Sequence, residues 1–507
     1  MGNPGDGELA ARGVDGSTSE RHTRLTPALH AAGRLLMVLG ALMLVPAIAA
    51  AIYGETLAVR AFLATGVLTM LTGSVVSGRY PAGALSWRAA LVLCVGAWTV
   101  YSLVGAIPIS LVLGIGYLDG AFEATSGFTT TGFTVLSGLE GLPRSILLWR
   151  VLMQWFGGLG ILSFFLLVSF PGGEAYRLLL MEGPKTLIQR PAPGVRGTLV
   201  ILWRIYGGLT ILNILALLAL RVGAFNAVAY GMSTISTGGF GMHDANLGHF
   251  QAVGHPNALA VEIATMVFML LSGIGFLSHH LLLSGRPRQW LAGQETRTYW
   301  MLLAVTTIII VVDGMLKHPL MTPSVVLRNG AFQSASLLSG AGLATVPFTD
   351  WLAFPTGFQA LMALMFIGGC VGSTAGGLKI LRVKVLRLYS WHQIKRATYP
   401  ARFVMPFTVG GRILPDAEVA RMAVVAFCWA GAVFLGALVM ALLSEHSSMV
   451  SVAVCLSAVS NMGPVPLDTR QMAAFHPLVK GLQMVLMIAG RLEILPVLSL
   501  FCRRVWQ

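Results

Sequence analysis

A chain of 507 residues in which 55% are hydrophobic and only 11% charged, with a mean hydropathy of +0.76, is too apolar to be a string of soluble domains and reads as a polytopic membrane protein. Its net charge of +14 does not point to nucleic acid, because the basic residues fall in alternate loops between apolar segments rather than on one continuous face. Cys94, Cys370, Cys428, Cys455 and Cys502 are scattered without a C-x-x-C pair, which argues against both a disulfide framework and a zinc site and leaves them as small buried fillers.

Residues 1–28 are polar and lack an apolar period, so a disordered cytosolic tail is expected there, too mixed in charge for a signal peptide. Two apolar spans follow, near 33–53 and 59–77. Each is close to the roughly 20 residues that cross a bilayer, and together they predict a transmembrane hairpin within 29–80.

The chain then repeats a unit of long outer helix, short half-helix, Gly/Ser/Thr-bearing loop and long inner helix. The first unit, residues 81–175, has an outer helix near 86–113, a half-helix over Leu118–Ser126 and the loop Thr129-Thr130-Thr131-Gly132-Phe133. Its inner helix, near 145–170, carries Gly157-Gly158-Leu159-Gly160. In lipid every backbone N–H and C=O needs a partner, so an irregular loop at membrane depth is tolerated only where it is buried in protein or lines a watery path. Carbonyls of such a loop can replace the water around a cation, and glycine lets the backbone come close. The half-helix would present its negative C-terminal end to the same cation. The loop is therefore read as part of an ion-selectivity filter.

The second unit, 176–290, places Ser236-Thr237-Gly238-Gly239-Phe240 between an outer helix near 197–221 and an inner helix near 257–283. The third, 291–402, runs from an outer helix near 298–316 through Ser339-Gly340-Ala341-Gly342-Leu343 to an inner helix near 356–388. The fourth, 403–507, runs from about 418–443 through Ser460-Asn461-Met462-Gly463-Pro464 to a helix near 477–502. The loop glycines Gly132, Gly239, Gly342 and Gly463 recur about every 110 residues, the regularity of an array. The expected fold is an all-α polytopic membrane protein, with four pseudo-repeats around one pore preceded by the two-helix hairpin.

Segments after the inner helices are basic: Arg177, Lys185, Arg190 and Arg196; Arg286, Arg288 and Arg297; Arg382, Lys384, Arg387, Lys395, Arg396 and Arg402; Arg503 and Arg504. They belong in the cytosol, with the N-terminus. The filter side gathers Glu55, Asp119, Glu123, Glu140, Asp244, Asp350 and Asp468, which would raise local cation concentration, alongside Arg144, Lys317, Arg328, Arg470 and Lys480.

Inside the third inner helix, Gly368 to Lys379 resembles a phosphate-binding loop but fails its spacing, since Leu378 precedes Lys379 and no Ser or Thr follows. Glycines at this density break a helix. A flexible constriction at Cys370, Gly372, Ser373, Thr374, Gly376, Gly377 and Lys379 is expected below the filter. Cys370 lies as far beyond Gly342 as Arg491 lies beyond Gly463, so Arg491 is placed at the same depth as a second part of the gate. Glu493 also interrupts the last apolar helix, where charge is costly. Intramembrane charge of this kind is either functional or an ion pair that fixes two helices; Arg150 and Glu262 carry the same alternatives nearer helix ends, where snorkelling is the cheapest explanation. His279-His280 lacks other ligand types around it, and no metal is assigned there. No cluster of nucleophile, base or metal ligands points to an enzyme.

The motifs Ser126–Gly132, Ser233–Phe240, Gly368–Lys379 and Asn461-Met462-Gly463-Pro464 resemble the Trk/Ktr/HKT superfamily of potassium transporters, most closely its bacterial TrkH-type members, over nearly the whole chain after the tail. The resemblance implies a fourfold pseudosymmetric pore, homodimerisation and a cytosolic nucleotide-binding TrkA-type ring that controls opening. The third loop departs from the family by losing hydroxyls. The expectation is a multi-pass cell-membrane subunit, surrounded by membrane lipid, that conducts potassium ions. The filter residues are Thr130, Thr131, Gly132, Thr237, Gly238, Gly239, Gly340, Ala341, Gly342, Asn461, Met462 and Gly463, with potassium as transported ion and no covalently bound cofactor. The competing class is a symporter coupled to sodium or protons, for which Glu262 and Glu493 are the obvious carboxylates.

Overall fold

The computed structural model describes residues 16–83, 85–160, 195–400 and 405–503. Among them six helices are long and apolar enough to cross a bilayer, and a seventh span is a helix pair bent by 104°. The hairpin is formed by Gly16–Leu42 with its continuation Leu44–Ile52, and by Thr56–Arg79. Its first helix begins at Gly16, inside the stretch expected to be a disordered tail, although the apolar span itself starts at Thr26. The two arms touch backbone to backbone: a Cβ on Gly33 would lie 2.5 Å from the Ser77 nitrogen, and one on Gly40 2.5 Å from the Gly66 carbonyl. Small residues permit this approach in lipid, where packing rather than water drives association.

The four outer helices are Trp87–Leu113, Val195–Ala219, Gln294–Lys317 and Asp416–Leu443. They display large apolar side chains outward, with Phe427 80% and Phe434 68% exposed. A water-facing surface would not tolerate such a belt, but hydrocarbon covers it without cost. The half-helices are Tyr117–Phe128, Ala224–Ser236, Pro323–Ser339 and Ser448–Ser460. Their C-terminal halves are buried on every side, placing the loops that follow in the centre of the molecule.

The inner helices depart from the sequence expectation. The first runs Arg144–Trp155 and passes into a π turn, Phe156–Gly160, within its glycine run; its expected continuation to 170, with Arg177, Lys185 and Arg190, falls outside the described residues. The second, expected as one helix, breaks at Gly273–Gly275 into Ala258–Ser272 and Phe276–Leu283. The third breaks as expected, between Pro355–Ile367 and Ile380–Arg396. The fourth, Pro477–Arg491, ends at Leu492-Glu493-Ile494 before the short helix Leu495–Ser499. Between the helices Ile380–Arg396 and Asp416–Leu443, Thr408–Val409 pairs with Arg412–Ile413 across Gly410-Gly411, whose positive φ angles (60° and 77°) suit a tight hairpin turn. Cys94, Cys370 and Cys455 are buried, whereas Cys502 is exposed.

Candidate functional site

Each half-helix ends in the same way. The N–H groups of Thr131, Gly238, Ala341 and Met462 donate to the carbonyls of Ser126, Ser233, Ser336 and Ser457 at 2.9, 3.0, 2.9 and 3.1 Å. Those of Thr130, Thr237, Gly340 and Asn461 donate to Gly127, Thr234, Leu337 and Ala458 at 3.0, 3.2, 3.1 and 3.2 Å. This is the Schellman closure, which turns the chain through a left-handed residue. That residue is Thr130 (φ 54°), Thr237 (φ 53°), Gly340 (φ 75°) and Asn461 (φ 51°). Asparagine tolerates the conformation, but a β-branched threonine does not, so the first two loops hold strained backbone of the kind concentrated at functional sites.

Two residues further on stand Gly132, Gly239, Gly342 and Gly463, all with positive φ between 69° and 94°. A Cβ on Gly132 would lie 2.5 Å from the Gly238 carbonyl oxygen, on Gly239 3.1 Å from that of Ala341, on Gly342 2.3 Å from that of Met462, and on Gly463 2.6 Å from that of Thr131. The loops therefore meet head to tail, one to two to three to four and back to one. The structure brings the twelve sequence-derived loop residues into this one ring.

Residues from other elements hold the ring. Gln154, on inner helix one, donates through Nε2 to the Gly238 carbonyl at 2.5 Å, while its Oε1 accepts from Ser233 Oγ and the Phe240 N–H at 3.2 and 3.3 Å. Asn461 Nδ2 donates to Thr131 Oγ1 at 2.9 Å, tying loop four to loop one. Behind loops one and two, Arg150 and Glu123 form an ion pair at 2.6 Å, both fully buried. Glu123 also accepts from Thr134 Oγ1 and the Val135 N–H, and Arg150 reaches the Gly241 carbonyl at 3.3 Å. Sequence reasoning missed Gln154, and its snorkelling account of Arg150 is wrong: the side chain points inward. Glu262 likewise does not snorkel but takes both Nε and Nη2 of Arg328, at 2.7 and 2.6 Å.

Most of the carboxylates on the loop side are engaged in structure. Glu55 receives the Arg144 and Ser145 N–H groups at 2.6 and 3.1 Å, where its charge suits a helix N-terminus. Asp119 pairs with Lys480 at 2.5 Å, and Asp468 caps the helix Thr469–Ala473. Their expected role in gathering cations is thereby reduced.

Below the ring lies the segment Gly368–Lys379. Its Gly377 N–H donates to the Ser460 carbonyl at 3.0 Å and Thr374 Oγ1 to that of Ile235 at 3.1 Å, so it is moored to half-helices four and two. A Cβ on Gly340 would meet Ala375 Cα at 3.0 Å and the Gly376 nitrogen at 3.1 Å. This gives a local reason for the departure in loop three: a side chain there would occupy the space that the segment takes. Gly372 and Gly377 have positive φ, as does Lys379, whose Nζ donates to the Ala375 carbonyl. Cys370 donates its N–H to Gly273, at the break of inner helix two, at 3.0 Å, and Ser373 Oγ donates back to Cys370. Arg491 donates to Thr130 Oγ1 and the Thr374 carbonyl, both at 3.0 Å, and to the carbonyls of Gly157 and Gly158 at 2.7 and 2.5 Å. A cavity under the ring is lined by Gly158, Ser373, Gly376, Lys379 and Arg491 among others. Glu493 is paired with Arg382, at the start of the helix that follows the segment.

Residues 60–506 match the family model described as TrkH, cation transport protein. The chain is 31% identical over 490 residues to the Trk system potassium uptake protein TrkH of Escherichia coli strain K12, spanning 94% of this chain and 98% of that protein. It is 28% identical over 487 residues to TrkG of the same strain, again across 94% and 98%. The crystal structure of the potassium transporter TrkH from Vibrio parahaemolyticus superposes with a TM-score of 0.83 at 29% identity, covering 95% of this chain and 99% of that one.

Proposed function

Because the chain belongs to the TrkH family of cation transport proteins, a family of ion transporters and not of enzymes, we propose that it takes up potassium across the cell membrane through the ring of four loops. The observation that carries this reading is the head-to-tail closure in which each loop glycine receives the neighbouring loop's carbonyl. A ring of backbone carbonyls can take the place of a potassium ion's water shell. The carbonyls proposed to do so belong to Thr130, Thr131, Gly132 and their equivalents in the other three loops.

Flux is channel-like and gated. Gly368–Lys379 fills the passage under the ring, and the Arg491 guanidinium, charged at every accessible pH, opposes a cation in a low-dielectric cavity. Opening withdraws the segment when a cytosolic nucleotide-binding ring of the TrkA type pulls on the helix Ile380–Arg396. Exposed Trp391, Ile394, Lys395, Arg396 and Tyr399 on and just beyond that helix offer it an apolar and basic hold. The reading includes a homodimer, which rests on the family resemblance alone, and a cytosolic N-terminus, supported by the basic segments on one side of the membrane. A coupled symporter is less well supported, since Glu262 and Glu493 are each committed to an arginine.

Purified protein in liposomes, with K⁺ and Na⁺ gradients imposed separately, tests this. Current that follows the K⁺ gradient alone supports the channel; obligatory dependence on a second ion identifies a symporter; absence of K⁺ flux from well-folded protein refutes the function.

A further inference from the structure

On the loop side of the molecule, beyond the ring, three side chains from two repeats meet outside the machinery already described. Glu140 lies in the short turn Leu139–Gly141 after loop one, His243 follows loop two, and His249 sits in the helix Gly248–Ala252. Their ligand atoms all lie within 4.8 Å of one another. We infer that Glu140, His243 and His249 form a binding site for a divalent first-row transition metal, with Zn²⁺ the ion its donors suit, clasping repeats one and two at the rim.

Hydrogen bonds between the two loops hold these donors in place. Glu140 Oε1 accepts the Asp244 N–H at 3.1 Å, and the Asp244 carboxylate in return accepts the N–H groups of Gly138 and Leu139 at 2.8 and 3.0 Å. Two loops are thus locked reciprocally with Glu140 and His243 on facing sides. His243 Nδ1 is buried, lies 3.7 Å from Glu140 Oε1 and has no hydrogen-bond partner. A buried ring nitrogen left so calls for an explanation, and a metal supplies one. The other nitrogen, Nε2, is 3.1 Å from the Asn226 side-chain amide. Turned to present its oxygen, that amide accepts the Nε2 proton and leaves the Nδ1 lone pair bare, the outer support that ligating histidines usually have.

The His243 and His249 rings are stacked 3.5 Å apart and within 2° of parallel. To direct both lone pairs at one ion each must tilt about its Cβ–Cγ bond, a broad and soft torsion. Two imidazoles and a carboxylate, with a fourth position open to water, make a nitrogen-rich set for Zn²⁺ rather than for Mg²⁺ or Ca²⁺, which prefer oxygen throughout.

The test is calorimetric titration of ZnCl₂, with MgCl₂ as control, into full-length chelator-treated protein in nanodiscs, purified without a polyhistidine tag. One saturable Zn²⁺ per chain is expected, with no Mg²⁺ response at equal concentration and affinity weakened at least about tenfold in His243→Ala, His249→Ala and Glu140→Gln. His249 is partly exposed, so its variant keeps the test sound if His243→Ala fails to fold. Absence of saturable binding, or unchanged affinity in His249→Ala, overturns the site and leaves a polar clasp between two loops. Binding is read without ion flux, so failure of the transport reading would not affect it.

Discussion

Arg491 Nη1 donates to the hydroxyl of Thr130 at 3.0 Å, so the guanidinium at the end of inner helix four touches the first loop itself and does not merely hang beneath it. The same nitrogen holds the Thr374 carbonyl, so one charged group bridges ring and segment. Arg491→Ala should raise partner-independent K⁺ flux with K⁺/Na⁺ preference largely kept, and Thr130→Val, which removes only the acceptor, should raise it less. Combining the two should add little to Arg491→Ala, as expected of residues in contact. Reduced or unchanged basal flux in well-folded Arg491→Ala liposomes would mean that the contact is packing.

The loop glycines should respond unequally. All four have positive φ, where a Cβ costs about 1–2 kcal/mol, but the space differs: 2.3 Å at Gly342 and 2.5 Å at Gly132 against 3.1 Å at Gly239. Alanine at Gly342 or Gly132 should cut K⁺ flux or shift preference to Na⁺ more than alanine at Gly239. Equal, wild-type flux and selectivity in all three would remove the ring from the ion's path.

Gly340 leaves room for Ala375 and Gly376 beneath it. Gly340→Asn keeps a residue that accepts left-handed backbone, as Asn461 does at the equivalent place, yet adds a side chain against the segment. Higher basal flux in single-channel or liposome assays is expected, and Gly340→Asn with tight closure would show that the segment yields without opening.

The Glu123–Arg150 pair is wholly buried, and removing one member leaves the other charge unpaired, a loss of about 3–5 kcal/mol. Arg150→Met should lower thermal stability and yield steeply, whereas the double change with Glu123→Gln should be milder. Detergent-solubilised melting curves distinguish the two; a single variant as stable as the wild type contradicts the pairing.

Charge reversal at Lys395 and Arg396 should weaken co-purification with a cytosolic nucleotide-binding partner while leaving partner-free flux intact. Full nucleotide-dependent gating by the isolated subunit would sink the docking proposal.

The outer helices were legible to within a few residues, Trp87–Leu113 from an expected 86–113 and Asp416–Leu443 from 418–443, because hydrocarbon thickness fixes their length. The loop glycines were legible through their spacing. What the sequence concealed depends on partners distant along the chain. Gln154 looks like any polar residue on an inner helix until Gly238 is packed against it, and the pairing of Arg150 with Glu123 or Glu262 with Arg328 is a tertiary choice. The break at Glu493 lies just ahead of Pro496, whose ring and missing N–H exclude a helical hydrogen bond to the Leu492 carbonyl, but its shape is a tertiary choice: Glu493 and Ile494 both take positive φ where Glu493 meets Arg382.

Each loop is both wedge and socket, since its glycine receives one neighbour while its carbonyl enters the other, and a circuit of this kind has no terminal member to absorb a disturbance. Widening any one joint slackens the remaining three, so the first injury does most of the harm and a second at an adjacent joint finds the hoop already sprung. Damage to paired loop glycines should therefore fall short of the sum of the single effects, the sub-additivity that separates a closed ring from four independent ligands.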